Sequence, residues 1–217
     1  MAKIITEVQE NFLKLFSKSN LAKEFYFSGG TALSNYYLNH RFSEDLDFFS
    51  ENEFDAMQIS VFLKSIKEKI GYLSFDYQQS FNRNIYHLKF KDSMLKVEFT
   101  FYPFAQVQQP KIIDGIMVDS LVDIAVNKLF TISQNARGRD YFDLYCINQK
   151  EKISLEKLRK LAKIKFDWHV DPLHLGTQLN RVKEFIDDPI LSKNVSKKKV
   201  IAFFEKEATN LGEEIIL

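Results

Sequence analysis

Apolar residues return every three or four positions early in the chain, at Ile4, Ile5, Val8, Phe12, Leu13 and Phe16, the spacing of one helical face over residues 4–16. A short apolar run at 25–27 follows and ends in Ser28, Gly29 and Gly30. It predicts a strand leading into a turn, with Thr31 as the cap of a helix that carries Ala32, Leu33, Tyr36 and Tyr37. The run 46–49 reads as a second strand, and helical periodicity resumes over 54–70 until Gly71 stops it. Three further apolar or alternating runs, 72–77, 84–90 and 95–102, are bounded by polar or turn residues and predict consecutive antiparallel strands. Asp114 and Gly115, set between Ile113 and Ile116, predict a hairpin or sheet edge.

Beyond Asp119 the pattern is helical, with segments at 120–133, 139–148, 155–164, 179–186 and 197–209. Strands in the first half and helices in the second predict an α+β fold. A mixed sheet with flanking helices would occupy 1–117, and a helical unit packed against it 118–217. No Pro/Gly/Ser-rich linker separates the two.

Composition changes this picture little. A chain of 217 residues, 45% hydrophobic and 14% aromatic, has ample material for a core, and its 21 phenylalanines are assigned to it. The formal net charge of +1, from 30 basic and 29 acidic residues, argues against wholesale polyanion binding but permits local basic faces. A single cysteine, Cys146, cannot form an internal disulfide, and no run approaches the roughly 20 apolar residues of a membrane span. A cytoplasmic, non-membrane protein is expected.

The candidate chemistry lies between residues 28 and 47. Side chains alternate across a strand, so Asp45 and Asp47 share a face while Leu46 and Phe48 take the other. Two unpaired carboxylates on one face repel, and each raises the other's pKa unless a cation lies between them. Mg²⁺ (or Mn²⁺) meets that need, because it binds one or two carboxylates together with substrate phosphates. Gly29 and Gly30 let backbone amides approach an anion, and the helix expected near Thr31 adds its positive end. Each feature alone is usually structural; their order, strand, glycines, helix and then Arg41, Ser43, Asp45 and Asp47 as R-x-S-x-D-x-D, describes a nucleoside triphosphate site. Neither the P-loop pattern nor G-x-G-x-x-G occurs in the sequence to compete with it.

The stretch GGTALSNYYLNHRFSEDLDFF resembles the first motif of the AbiEii/AbiGii family of nucleotidyltransferase toxins, within the DNA polymerase beta-like nucleotidyltransferase superfamily. The resemblance implies that Ser28, Gly29, Gly30, Thr31 and Arg41 contact the triphosphate, that Asp45 and Asp47 bind metal, and that a third acid completes the site. Glu98 in LKVEFTFY is the candidate, sharing its face with Lys96 and Thr100 while Val97, Phe99 and Phe101 take the opposite one. The family pattern there is K-x-D, so Lys96 and Glu98 match in position, with Glu in place of Asp. A further motif, a helical lysine facing the triphosphate followed by R-D-x-x-D-L, matches Lys128 and then Arg139, Asp140, Asp143 and Leu144. Asp140 and Asp143 share a helical face; Asp143 holds Lys128 or Arg139, accepts a proton, or serves structure alone.

The implied reaction moves a nucleoside monophosphate from a triphosphate to an acceptor hydroxyl and releases pyrophosphate. The resemblance further implies a toxin of a type IV toxin-antitoxin or phage-defence system, with a cognate antitoxin and a tRNA acceptor. The residues themselves leave the acceptor open. An antibiotic-type nucleotidyltransferase for small molecules and a catalytically silent nucleotide-binding module are the alternatives. His40, His87, His169 and His174 show no metal spacing and are read as structural, and the basic run SKNVSKKKV at 192–200 as a solvated helix face.

Overall fold

Helix α1 (Glu7–Phe16) begins later than its apolar pattern because Thr6 stops it: the Thr6 hydroxyl accepts the Gln9 N–H, and the Gln9 side chain takes the Thr6 N–H in return. The computed structural model of the chain describes residues 4–185, 190–191 and 195–216, with backbone alone at 185 and 213–216. They divide into two compact units. The first comprises Met1–Tyr37, Ser43–Ala105 and Gln109–Ser120; the second comprises Leu38–Phe42, Gln106–Gln108 and Leu121–Leu217.

The first unit carries one mixed sheet. Its strands are β1 (Tyr26–Ser28), β2 (Leu46–Ser50), β3 (Ser74–Ser80), β4 (Arg83–Lys89), β5 (Met94–Phe101), β6 (Lys111–Ile113) and β7 (Ile116–Val118), in the order β3-β4-β5-β2-β1-β7-β6. β3, β4 and β5 pair antiparallel, as their alternation implies. β2 runs parallel to β5 and antiparallel to β1, so the acidic strand sits in the middle of the sheet. Asp114 and Gly115, both at positive φ, close the β6–β7 hairpin.

A short helix, α2 (Gly29–Ala32), continues into a π-helical turn at Leu33–Leu38. The longer α3 (Ala56–Ile70) is capped by Asp55 and ended by Gly71 at φ 82°. The core lies where α1 and α3 meet the inward residues of the strands. Phe16 approaches Phe48 at 4.2 Å between ring centroids, Phe48 stacks on Phe99 at 5.0 Å, and Phe62 closes edge-on against Phe12. Burying each such ring stabilises the fold by about 1.5–3 kcal/mol. This packing commits Leu46, Phe48, Val97 and Phe99 inward, which leaves Asp47 and Glu98 to the other sheet face.

The second unit is helical: α4 (Leu121–Asn135), α5 (Gly138–Glu151), α6 (Leu155–Phe166), α7 (Pro172–Asn180) and α8 (Lys197–Ile216). The helix expected at 179–186 is instead the end of α7 followed by a 3₁₀ turn at Arg181–Phe185; Ile186 lies outside the described residues. The reason is local: Asp171 accepts the His174 N–H and Pro172 fits the first turn, so the helix starts upstream. Asp123 and Lys165 form an ion pair at 2.7 Å with both side chains fully buried. Asp123 also accepts the N–H groups of Val107 and Gln108, which ties 106–108 to this unit. Among the described residues no helix is long and apolar enough to cross a membrane. In the basic run, 192–194 lie outside the described residues, and Lys197, Lys198 and Lys199 are exposed at the start of α8.

Candidate active site

β1 ends at Ser28 and the chain turns directly into α2. Gly29 sits at φ 77°, a conformation that L side chains rarely adopt, and a Cβ there would lie 2.6 Å from Asp47 Oδ2. Position 29 therefore excludes a side chain twice over. The helix begins two residues before the expected cap. Ser28, not Thr31, occupies the cap position, while Thr31 is buried inside α2 and its hydroxyl donates to the Asp45 carbonyl. The Ser28 hydroxyl makes no capping bond and donates to Asp119 Oδ2 at 2.6 Å. Asp119 is fully buried, and its carbonyl accepts from Tyr37, whose phenol burial and then the Asp119 charge push up to about 12.

The sheet register aligns the acids. Ser28 is the cross-strand partner of Asp47, and Asp47 that of Glu98, so the three form a row across β1, β2 and β5. The Lys96 ammonium stands between two carboxylates, 3.0 Å from Asp45 Oδ2 and 3.5 Å from Glu98 Oε2. From β4, Arg83 grips Glu98 in a two-point bond, Nε to Oε1 at 2.6 Å and Nη2 to Oε2 at 2.7 Å, and Thr100 adds a third donor at 2.9 Å.

Glu98 is 5% exposed, whereas half of the Arg83 side chain reaches solvent. Burial opposes Glu98 ionisation, yet the bonds and charge of Arg83, with Thr100 and Lys96, hold its carboxyl below the usual range. Burial likewise opposes the Lys96 charge, and Asp45, Asp47 and Glu98 together raise its pKa. Asp45 and Glu98 thus share one ammonium as a partner. Among the described residues no three His, Cys, Asp or Glu side chains stand ready-made as a metal site. Lys96 and Arg83 hold oxygens of Asp45 and Glu98.

The remaining sequence-derived residues belong to the second unit. Lys128 on α4 is buried, 2.7 Å from Asp140 Oδ1 and 2.6 Å from Asp143 Oδ2. Arg41 grips Asp143 through Nε at 2.6 Å and Nη2 at 2.9 Å, and His40 Nε2 lies 2.7 Å from Asp143 Oδ1. Arg137 completes the network on Asp140 at 3.1 Å. Burial opposes the Asp143 charge, but Lys128, Arg41 and His40 hold its carboxyl well below the usual range. Arg139 is half-buried on α5.

Residues 11–208 match a family model described as nucleotidyl transferase AbiEii toxin, type IV toxin-antitoxin system. The chain belongs to the AbiEii nucleotidyltransferase toxin family. That membership implies a nucleotide substrate and an antitoxin partner for this AbiEii-family chain. It is 32% identical over 170 residues to the uncharacterized protein aq_aa25 of Aquifex aeolicus (strain VF5), covering 76% of this chain and 77% of that one. The crystal structure of JHP933 from Helicobacter pylori superimposes with a TM-score of 0.62 at 21% identity, covering 96% of this chain and 90% of that one. A second H. pylori structure, described as a nucleotidyltransferase, gives the same score and identity over 96% and 93%. These two likenesses establish the nucleotidyltransferase fold.

Arg83 and Asp119 escaped the sequence reading of this AbiEii-family protein. Arg83 lies 15 residues from Glu98 and Asp119 lies 91 from Ser28, so only strand register connects them. The one local signal was Arg83 placed just after a turn on the strand preceding Glu98.

Proposed function

We propose that this AbiEii-family enzyme transfers a nucleoside monophosphate from a nucleoside triphosphate to an acceptor hydroxyl, releasing pyrophosphate, with Mg²⁺ or Mn²⁺ held by Asp45, Asp47 and Glu98. The observation that carries the reading is the row of Ser28, Asp47 and Glu98 beside Gly29, where even a methyl group would strike the Asp47 carboxylate. The donor set is all oxygen, and two of its carboxylates, Asp45 and Glu98, already share a cation, the Lys96 ammonium. A bound divalent ion would neutralise triphosphate charge and favour the deprotonated acceptor hydroxyl.

The chain's own groups do the positioning. The hydroxyls of Ser28 and Thr31 are engaged by Asp119 and Asp45, so the triphosphate is gripped by the main-chain N–H groups at the start of α2. Lys96 and Arg83 occupy oxygens of Asp45 and Glu98 that would hold a divalent ion, and would have to give them up to it. Both would keep their positive charge beside an anionic substrate. Family membership supports a toxin of a type IV toxin-antitoxin system; a tRNA acceptor in the cytoplasm and a phage-defence role belong to the proposal.

The test is incubation of the purified protein with each labelled nucleoside triphosphate, Mg²⁺ and either total RNA or an RNA-free extract. Label entering RNA with release of pyrophosphate is expected, and Asp47→Asn should lower the rate about a hundredfold or more. Label in small molecules alone would transfer the assignment to a small-molecule acceptor. Nucleotide binding without pyrophosphate release would make the protein a silent nucleotide-binding module.

A further inference from the structure

Helix α6 has two faces of different character. Leu155, Leu158, Ala162 and Phe166 are buried, and so is Lys165, which Asp123 neutralises. Glu156, Arg159, Lys160 and Lys163 follow at i, i+3, i+4 and i+7, one stripe along the helix. At the end of α6, Asp167 adopts a left-handed conformation at φ 48°, and His169 and buried Val170 then join the stripe in lining one cleft. The cleft encloses about 280 Å³.

Its charge is one-sided. Arg159, Lys160 and Lys163 set three cations in it against a single carboxylate among the lining residues, Glu156, and Lys160 already pairs with that group; His169 adds a polar ring. A convex helix face would let such cations splay into water, whereas a concave one holds them around a common volume and sums their field. Trp168, next to His169, is the sole tryptophan of the chain and is 56% exposed. An exposed indole one residue along the chain from a cleft-lining histidine offers an unpaired base a stacking surface near a phosphate grip.

We propose that this cleft is a phosphate-binding site for single-stranded nucleic acid, in which Arg159, Lys160, Lys163 and His169 take the phosphodiester and Trp168 stacks on a neighbouring base. The site lies wholly within the helical unit and shares no residue with the acidic row on the sheet. It stands whether or not the transferase reading holds, because binding is measured without nucleoside triphosphate or metal.

Trp168 is its own reporter. Titrating the full chain at low salt with a short oligouridylate RNA should quench the tryptophan emission to saturation. Inorganic phosphate at equal phosphate concentration should leave most of the emission intact, which separates a strand from the free ion. Lys160→Glu with Lys163→Glu, both at exposed positions, should weaken binding about tenfold or more and flatten the salt dependence by about one to two phosphate contacts. Trp168→Ala, followed by anisotropy of labelled RNA, should cost about tenfold. Unaltered RNA affinity in the double lysine variant would overturn the proposal, as would equal quenching by an acidic peptide of the same charge.

Discussion

At the residue scale, Gly29 and Glu98 are the most constrained positions of the site. Gly29→Ala forces a Cβ into the left-handed region at a cost of about 1–2 kcal/mol, and sets it 2.6 Å from Asp47 Oδ2. Denaturant melts should show that loss of stability, and nucleotide transfer should fall further than stability does because Asp47 must move aside. Glu98 is held by Arg83 through both oxygens, so a divalent ion and Arg83 compete for the same lone pairs. Arg83→Gln removes the competing charge while keeping hydrogen-bond donors. Mn²⁺ affinity, read by calorimetry or electron paramagnetic resonance, should rise about three- to tenfold. A fall in affinity would mean that Arg83 aims Glu98 at the metal instead of withholding it.

At the scale of elements, α4 and α5 are joined through buried charge. Asp143→Asn leaves Arg41 and Lys128 buried without their shared carboxylate, and should cost about 3–5 kcal/mol in thermal or denaturant unfolding. The pH dependence follows from the depressed carboxyls of Asp140 and Asp143. Their ionised forms are favoured in the folded chain, so the unfolded chain binds more protons in acid. The stability they contribute is complete above the ordinary 3.8 and is lost as pH falls through their lowered folded values. Asp143→Asn should remove its share of that acid limb in melts recorded between about pH 5 and pH 2. Helix and strand types were readable here from periodicity, and the Gly71 and Asp114-Gly115 turns from their residue chemistry. The start of α2 was not, because Thr31 is a good cap in isolation and only its bond to the Asp45 carbonyl reveals another task.

At the scale of the whole molecule, a net charge of +1 conceals strong local separation. Acids meet Lys96 and Arg83 on the sheet, carboxylates meet Arg41 and Lys128 among the helices, and one cleft sets Arg159, Lys160 and Lys163 against Glu156 alone. The sequence by itself determined what depends on near neighbours: the alternation that puts Lys96 with Glu98 on β5, the helical stripes, and the family motif. These follow from backbone geometry, which repeats every two residues in a strand and every 3.6 or so in a helix. Tertiary structure alone decided the long-range partners of the buried acids. Arg83 reaches Glu98 across 15 residues, Lys165 reaches Asp123 across 42, Ser28 reaches Asp119 across 91, and Arg41 reaches Asp143 across 102. No local pattern encodes those pairings, because each exists only where the fold brings polar groups remote in sequence together.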